Sequence, residues 1–176
     1  NSPNTVFQFK NLNLSEMIDR VIESNQLIFQ NKQIEISNRV KDDLIIYGDH
    51  LRIEELFTNL INNAVKYSYA GGKIQINATC SDQLITISIR DEGVGMTQHQ
   101  IDHVFDEFYK ADGSRHDFDS SGLGMSICKR IVEKHKGQIW AESEGQDKGS
   151  TIYITIPQNK SYKRSEKTTY TTITNK

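Results

Sequence analysis

Proline is scarce in these 176 residues, with only Pro3 and Pro157 near the two ends. Between them no helix can be broken by a missing N–H, so glycine, asparagine and serine must do the punctuating. Cysteine is equally rare. Cys80 and Cys128 each lie in an apolar-periodic segment and form no paired motif. That pattern argues against a disulfide scaffold or a metal site and reads as two buried free thiols in a reducing compartment. No apolar run approaches the length of a membrane span, and no signal-peptide pattern opens the chain. Neither sign of charge dominates: 21 basic against 23 acidic residues leave a formal net charge of -2. Such a balance argues against a nucleic-acid partner. The chain opens on asparagine, which reads as a fragment or a processed chain. The expected location is cytoplasmic, and an upstream membrane or sensor segment of a longer parent would lie outside these residues.

Familiar catalytic patterns are missing too. His50, His99, His103, His116 and His135 show no metal-ligand spacing with cysteine or aspartate. His99 and His103 stand at i, i+4, but without the glutamate that a zinc-hydrolase helix needs. All five read as surface or packing residues. No Ser-His-Asp or Cys-His arrangement can be picked out.

What is present is a set of periodic segments that suit a single domain with a sizeable core. Residues 1–13 look irregular and read as a connector. Ser15 is placed to cap a helix whose stripe is Leu14, Ile18, Val21, Ile22, Ile28 and Phe29. Ile34 to Asn38 and Leu44 to Tyr47 read as short strands. Asp49 then caps a helix carrying Leu51, Ile53, Leu56, Phe57, Leu60, Ile61, Ala64 and Val65 at helical spacing, ending near Ser68. Gly71-Gly72 marks a turn. Ile74, Ile76 and Ala78, then Ile85, Ile87 and Ile89, alternate with polar residues as a hairpin with one buried face. A last helix places Met125, Cys128, Ile131 and Val132 inward, and Gly137 stops it. Ile139 to Ser143 and Thr151 to Ile156 make a closing strand pair. The expected fold is α+β, a mixed and mostly antiparallel sheet with helices on one face. It would occupy residues 14–157, followed by a polar, disordered tail over 158–176.

Four stretches carry possible chemistry. Asn59, Asn63 and Lys66 fall at i, i+4 and i+7, so they share one helix face. Two neutral oxygen donors and a cation suit a hydrated divalent cation carrying phosphate, and a solvated polar face fits the same residues. Asp91-x-Gly93-x-Gly95 follows a strand. The carboxylate can accept from a ligand amine, and glycines let backbone approach that ligand; a tight turn with an acidic first residue explains the pattern as well. Phe105 and Phe108 read as anchors of a polar, mobile loop over 110–121, or as ordinary core. Lys110 and Arg115 on that loop can reach phosphates, and ordinary exposed loop cations fit them as well. Gly122-Leu123-Gly124 opens the last helix, where exposed N–H groups favour anions; a flexible loop feeding a helix explains the glycines as well. It is not a Walker A loop, since no Gly-Lys-Ser/Thr follows.

Taken in order, Asn-x-x-x-Asn-x-x-Lys-Tyr, Asp-x-Gly-x-Gly, Phe-x-x-Phe-Tyr and Gly-x-Gly before a helix resemble one known arrangement. They look like the N, G1, F and G2 boxes of the catalytic, ATP-binding domain of sensor histidine kinases. The resemblance covers roughly residues 7–157. It implies a two-layer α/β sandwich of the Bergerat type, with a mobile lid over ATP. By position, Asp91 would accept from the adenine amino group, with Gly93 and Gly95 letting adenine lie against backbone. Asn63 would hold Mg²⁺, Asn59 would lie beside the phosphates, Lys66 would contact phosphate oxygens, and Tyr67 would border the nucleotide. Lys110 matches the family's basic residue after the aromatic pair, and Gly122, Leu123 and Gly124 would wrap the β- and γ-phosphates.

The resemblance also implies what the chain does not do alone. Hydrolytic relatives carry a glutamate where this chain has Asn59, and an amide cannot act as general base. The catalytic set is then Asn59, Lys66 and Lys110, presenting Mg·ATP to another nucleophile. The family's phosphoacceptor histidine stands on a separate dimerising hairpin, and none of the five histidines has that context. Expected partners are that histidine-bearing domain, in cis or in trans, and a downstream response regulator, with this piece itself monomeric. Two other readings share the fold: a nucleotide-sensing module without transfer, and a serine kinase of the anti-sigma-factor type. Ser120 departs from the pattern where the first glycine of the last box often stands. The tail cations Lys160, Lys163, Arg164 and Lys167 have no family counterpart.

Overall fold

The computed structural model describes residues 6–109 and 124–158. In chain order the elements are β1 (Phe9–Asn13), α1 (Leu14–Ser24), α2 (Gln26–Lys32), β2 (Glu35–Asn38), β3 (Ile45–Asp49) and α3 (His50–Tyr67). There follow β4 (Lys73–Ser81), β5 (Leu84–Asp91), α4 (Gln98–His103), α5 (Gly124–Lys134), β6 (Gln138–Glu142) and β7 (Ser150–Pro157). Five strands form one sheet in the order β2-β4-β5-β7-β6, and β1 with β3 forms a separate antiparallel ribbon. Only the β2–β4 pair is parallel; the other three pairings in the large sheet are antiparallel. This is the mixed, mostly antiparallel α+β sandwich expected from the pattern.

Period-two alternation decides which face of the sheet is apolar. Ile74 and Ile76, Ile85, Ile87 and Ile89, and Ile152, Ile154 and Ile156 fall in register across β4, β5 and β7, and all are buried. They meet the apolar stripe of α3, in which Ile53, Leu56, Phe57 and Ile61 have no solvent exposure. Each such side chain contributes roughly 1.5–3 kcal/mol. Asp91 lies on this same face. Its register partners are Ile74 and Ser150, one step beyond the isoleucine rows. The pleat therefore points an aspartate toward the helix layer.

Several expectations change. The stretch read as irregular before residue 14 contains β1, whose partner β3 lies more than thirty residues on. The cap of α1 is Asn13, not Ser15: Asn13 Oδ1 accepts from Glu16 N at 3.1 Å, while Ser15 is buried against Asn38. The apolar stripe over 14–29 runs through two helices. Asn25 interrupts it at φ -116°, with its side-chain amide donating to Val21 O at 2.7 Å, so Phe29 is buried but Ile28 is not. The thiols also divide. Cys128 is buried, but Cys80, near the end of β4, is exposed. Phe105 packs against the core, whereas Phe108 is 69% exposed at φ +61°. Among the described residues no helix is long and apolar enough to cross a membrane.

Candidate functional site

The site is built where α3 ends. Asp49 starts that helix, and its Oδ1 accepts from Arg52 N at 3.0 Å as the sequence suggests. Eighteen residues later the helix delivers Lys66 and Tyr67 to the edge of the sheet. Val94 N donates to Tyr67 O at 3.0 Å, and Ser68 bridges to Gly93. The acidic turn is thus joined directly to the end of the asparagine-bearing helix.

Asp91 is 6% exposed, and its Oδ1 has no hydrogen-bond partner among the described residues. Burial raises its pKa to about 6; backbone N–H groups of Ser150 and Gly93 favour the charged form but do not offset that burial. Leaving a buried acceptor unmet costs about 1–3 kcal/mol. An oxygen held in this way is a ready acceptor for a donor brought by a ligand.

The two glycines after Asp91 have a structural necessity that their motif does not announce. A Cβ on Gly93 would stand 1.9 Å from Tyr67 O and 2.9 Å from Asp91 Oδ1. On Gly95, at φ +70°, it would stand 2.0 Å from Gly145 O. Protein backbone fills both spaces, so packing alone requires glycine at each position. Anything they do for a ligand is additional.

The sequence reading assigned no role to the turn between β6 and β7, yet this turn forms the wall behind Asp91. Ser143 Oγ donates to Gly149 O at 2.7 Å and accepts from Met96 N at 3.0 Å. Gly149 N donates to Gly93 O at 3.1 Å and Asp147 N to Val94 O at 2.8 Å. The Tyr69 hydroxyl donates to the Asp147 carboxylate from the chain just after α3. The signal available in the sequence was the Gly145 and Gly149 pair, both at positive φ.

Asn59 and Asn63 are half-buried on α3, Lys66 is exposed, and the Lys66 ammonium lies 5.4 Å from the Tyr67 ring centre. α5 packs across the middle of the same helix. Cys128 donates weakly to Leu56 O at 3.9 Å and also contacts the Asn59 side chain. Burial pushes this thiol up to about 12, so it is a packing group and no nucleophile. Gly124 opens α5, and among the described residues nothing lies within 4 Å of a Cβ placed on it. Lys110, Arg115, Ser120, Gly122 and Leu123 lie outside the described residues, as do the 110–121 loop and His116. Asn62 Oδ1, on the helix between the two asparagines singled out from the motif, is a second buried acceptor without a partner among the described residues.

Residues 48–160 match the family described as histidine kinase-, DNA gyrase B-, and HSP90-like ATPase. The chain belongs to this ATPase family. Within it, the sensor histidine kinase WalK of Bacillus subtilis is 40% identical over 126 residues, 69% of this chain. The chain spans only 20% of WalK's length. The catalytic domain of histidine kinase ThkA superimposes with a TM-score of 0.75 at 25% identity, covering 86% of this chain and 97% of that domain. ThkA solved in complex with the response regulator protein TrrA gives 0.74 at 26% identity, over 90% of this chain and 44% of that one. The chain corresponds to the ATP-binding catalytic domain of these ATPase-family kinases.

Proposed function

We propose that this domain holds Mg·ATP and presents its γ-phosphate to a histidine on a separate dimerisation domain. The observation that carries the reading is the unpartnered, buried Asp91 Oδ1 at the seam between α3 and the Gly93 turn. In an ATPase family, that oxygen suits the exocyclic amine of adenine. Asn63 would hold Mg²⁺, with Asn59 and Lys66 on the same face beside the phosphates and Tyr67 at the border. A magnesium ion there supplies positive charge against the phosphate oxygens.

The chain's own residues position and do not attack. Asn59 carries an amide and cannot remove a proton from water, so it favours transfer over hydrolysis. Phosphoryl transfer depends chiefly on positioning and charge stabilisation, which a site without its own base can supply. Lys110, Gly122, Leu123 and Gly124 are proposed to complete the phosphate contacts. The response regulator in the ThkA complex supports a regulator as the downstream partner. A cytoplasmic location, a domain that takes in β1 and ends at residue 157, and a tail after it complete this proposal.

The test mixes the chain, Mg·ATP and a cognate histidine hairpin, and then examines the phosphoprotein. Acid-labile phosphate on the hairpin is expected. Acid-stable phosphate would point to the serine-kinase reading, and binding without transfer to a sensing module.

A further inference from the structure

We propose that Lys32 is a positioning residue for the nucleotide site, clamping the last turn of α3 from the neighbouring helix. The inference rests on the nucleotide-binding reading above and adds a residue outside all four motifs.

A helix ends in carbonyls that no later turn can satisfy. In α3 these belong to Ala64, Val65, Lys66 and Tyr67. Ala64 O accepts from Ser68 N at 3.0 Å and from Ser68 Oγ at 2.7 Å. Tyr67 O accepts from Val94 N at 3.0 Å. Between them, Lys32 Nζ donates to Val65 O at 2.8 Å and to Lys66 O at 2.9 Å. One ammonium therefore bridges the two carbonyls that precede the Tyr67–Val94 junction.

Lysine suits this task. Its ammonium has three donors and no acceptor, so it can serve two carbonyls at once. Its charge also complements the negative end of the helix dipole. The backbone holds the residue in place as well. Lys32 ends α2, Gln33 after it is left-handed at φ +57°, and Gly71 N donates to Lys32 O at 3.0 Å. The clamp and the turn after α3 are thus joined at two points.

The carbonyls it holds lie on the backbone that carries Lys66 and leads into Tyr67. Tyr67 O in turn anchors the turn whose Gly93 flanks Asp91 Oδ1. Releasing the clamp frees the last turn and lets the Lys66 side chain leave the phosphate side of the site. A residue that merely stabilised the fold would weaken binding whether or not Lys66 were present. A residue that positions Lys66 would not.

A double-mutant cycle read by calorimetry with Mg·ATP separates these cases. Lys32→Met is expected to weaken binding roughly tenfold, the scale of losing hydrogen bonds from a charged donor. In a Lys66→Gln background the same change is expected to cost less than about twofold. Lys32→Arg, which keeps the charge and several donors, is expected to recover most of the loss. If Lys32→Met does not fold, Lys32→Gln runs the same cycle. An unchanged affinity, an equal loss in both backgrounds, or an arginine variant as weak as methionine overturns the role of Lys32. A wild-type chain that ignores Mg·ATP removes the nucleotide reading itself, and the inference with it.

Discussion

Asp49 and Asp91 are the same residue in opposite circumstances. Both are buried, at 8% and 6% exposure. Asp49 stands at the start of α3, where Oδ1 accepts from Arg52 N and Oδ2 from Gln8 N at 2.7 Å. Burial pushes against its ionisation, but those two donors and the nearby Arg52 outweigh burial and hold the carboxyl below its ordinary range. Around it, His135 accepts from Asp49 N at Nε2 and donates from Nδ1 to Ile131 O, and Phe9 packs on the imidazole. Asp91 stands at the end of β5, where burial wins and one oxygen has no partner among the described residues. A satisfied carboxylate holds the fold together. An unsatisfied one costs stability, which the proposed nucleotide would recover by completing it.

The comparison predicts where each substitution will be felt. Asp49→Ala should cost about 2–3 kcal/mol of stability, since it removes a cap and a second hydrogen bond. Denaturant unfolding measures this, and the folded fraction should keep its nucleotide affinity. A large loss of affinity in well-folded Asp49→Ala would blur the distinction between the two aspartates.

The pH dependence sharpens it. Folding binds the Asp91 proton more tightly than the unfolded chain does, with a pKa of about 6 against 3.8. Its contribution is therefore fully present below the unfolded value and lost as pH rises through about 6, a swing of roughly 2–3 kcal/mol. Asp49 runs the other way: its contribution is present above the ordinary carboxylate range and is lost as pH falls through its lowered value. Chemical melts from pH 4 to 7.5 of wild type and Asp91→Asn should differ in slope over that window. Parallel curves would remove the special status of Asp91.

The smallest effect concerns the metal. Asn63→Ala should weaken ATP binding by roughly tenfold with Mg²⁺ present and hardly at all in its absence, on the scale of losing one ligand. Equal losses under both conditions would detach Asn63 from the metal.

The two aspartates also show what a sequence displays. Asp49 sits directly before a periodic run, so its capping role is local and readable. Asp91 was legible as chemistry through its two glycines. Its burial was not, because that depends on the register of β5 with β4 and β7. The same reason hid the wall around it. Ser150 reaches Asp91, and Ser143 braces Gly149 beside it, only after a turn folds back beside the strand end. β1 was missed because its pairing with β3 is non-local, and its few residues carry no pattern of their own. Asn25 was missed because the stripe on either side keeps helical spacing while the backbone breaks. Lys32 belongs to none of the motifs, and only the folded chain sets it over the carbonyls of α3. Local rules gave the elements and four motifs, while contacts between distant segments made them into a site.

The most direct measurement pairs binding with stability in one variant. Asp91→Asn keeps the size of the side chain and removes the desolvated charge. This variant should melt higher than wild type at pH 7.5 and give no heat of binding with Mg·ATP. An Asp91→Asn chain that binds Mg·ATP with wild-type affinity would contradict the role given to Asp91.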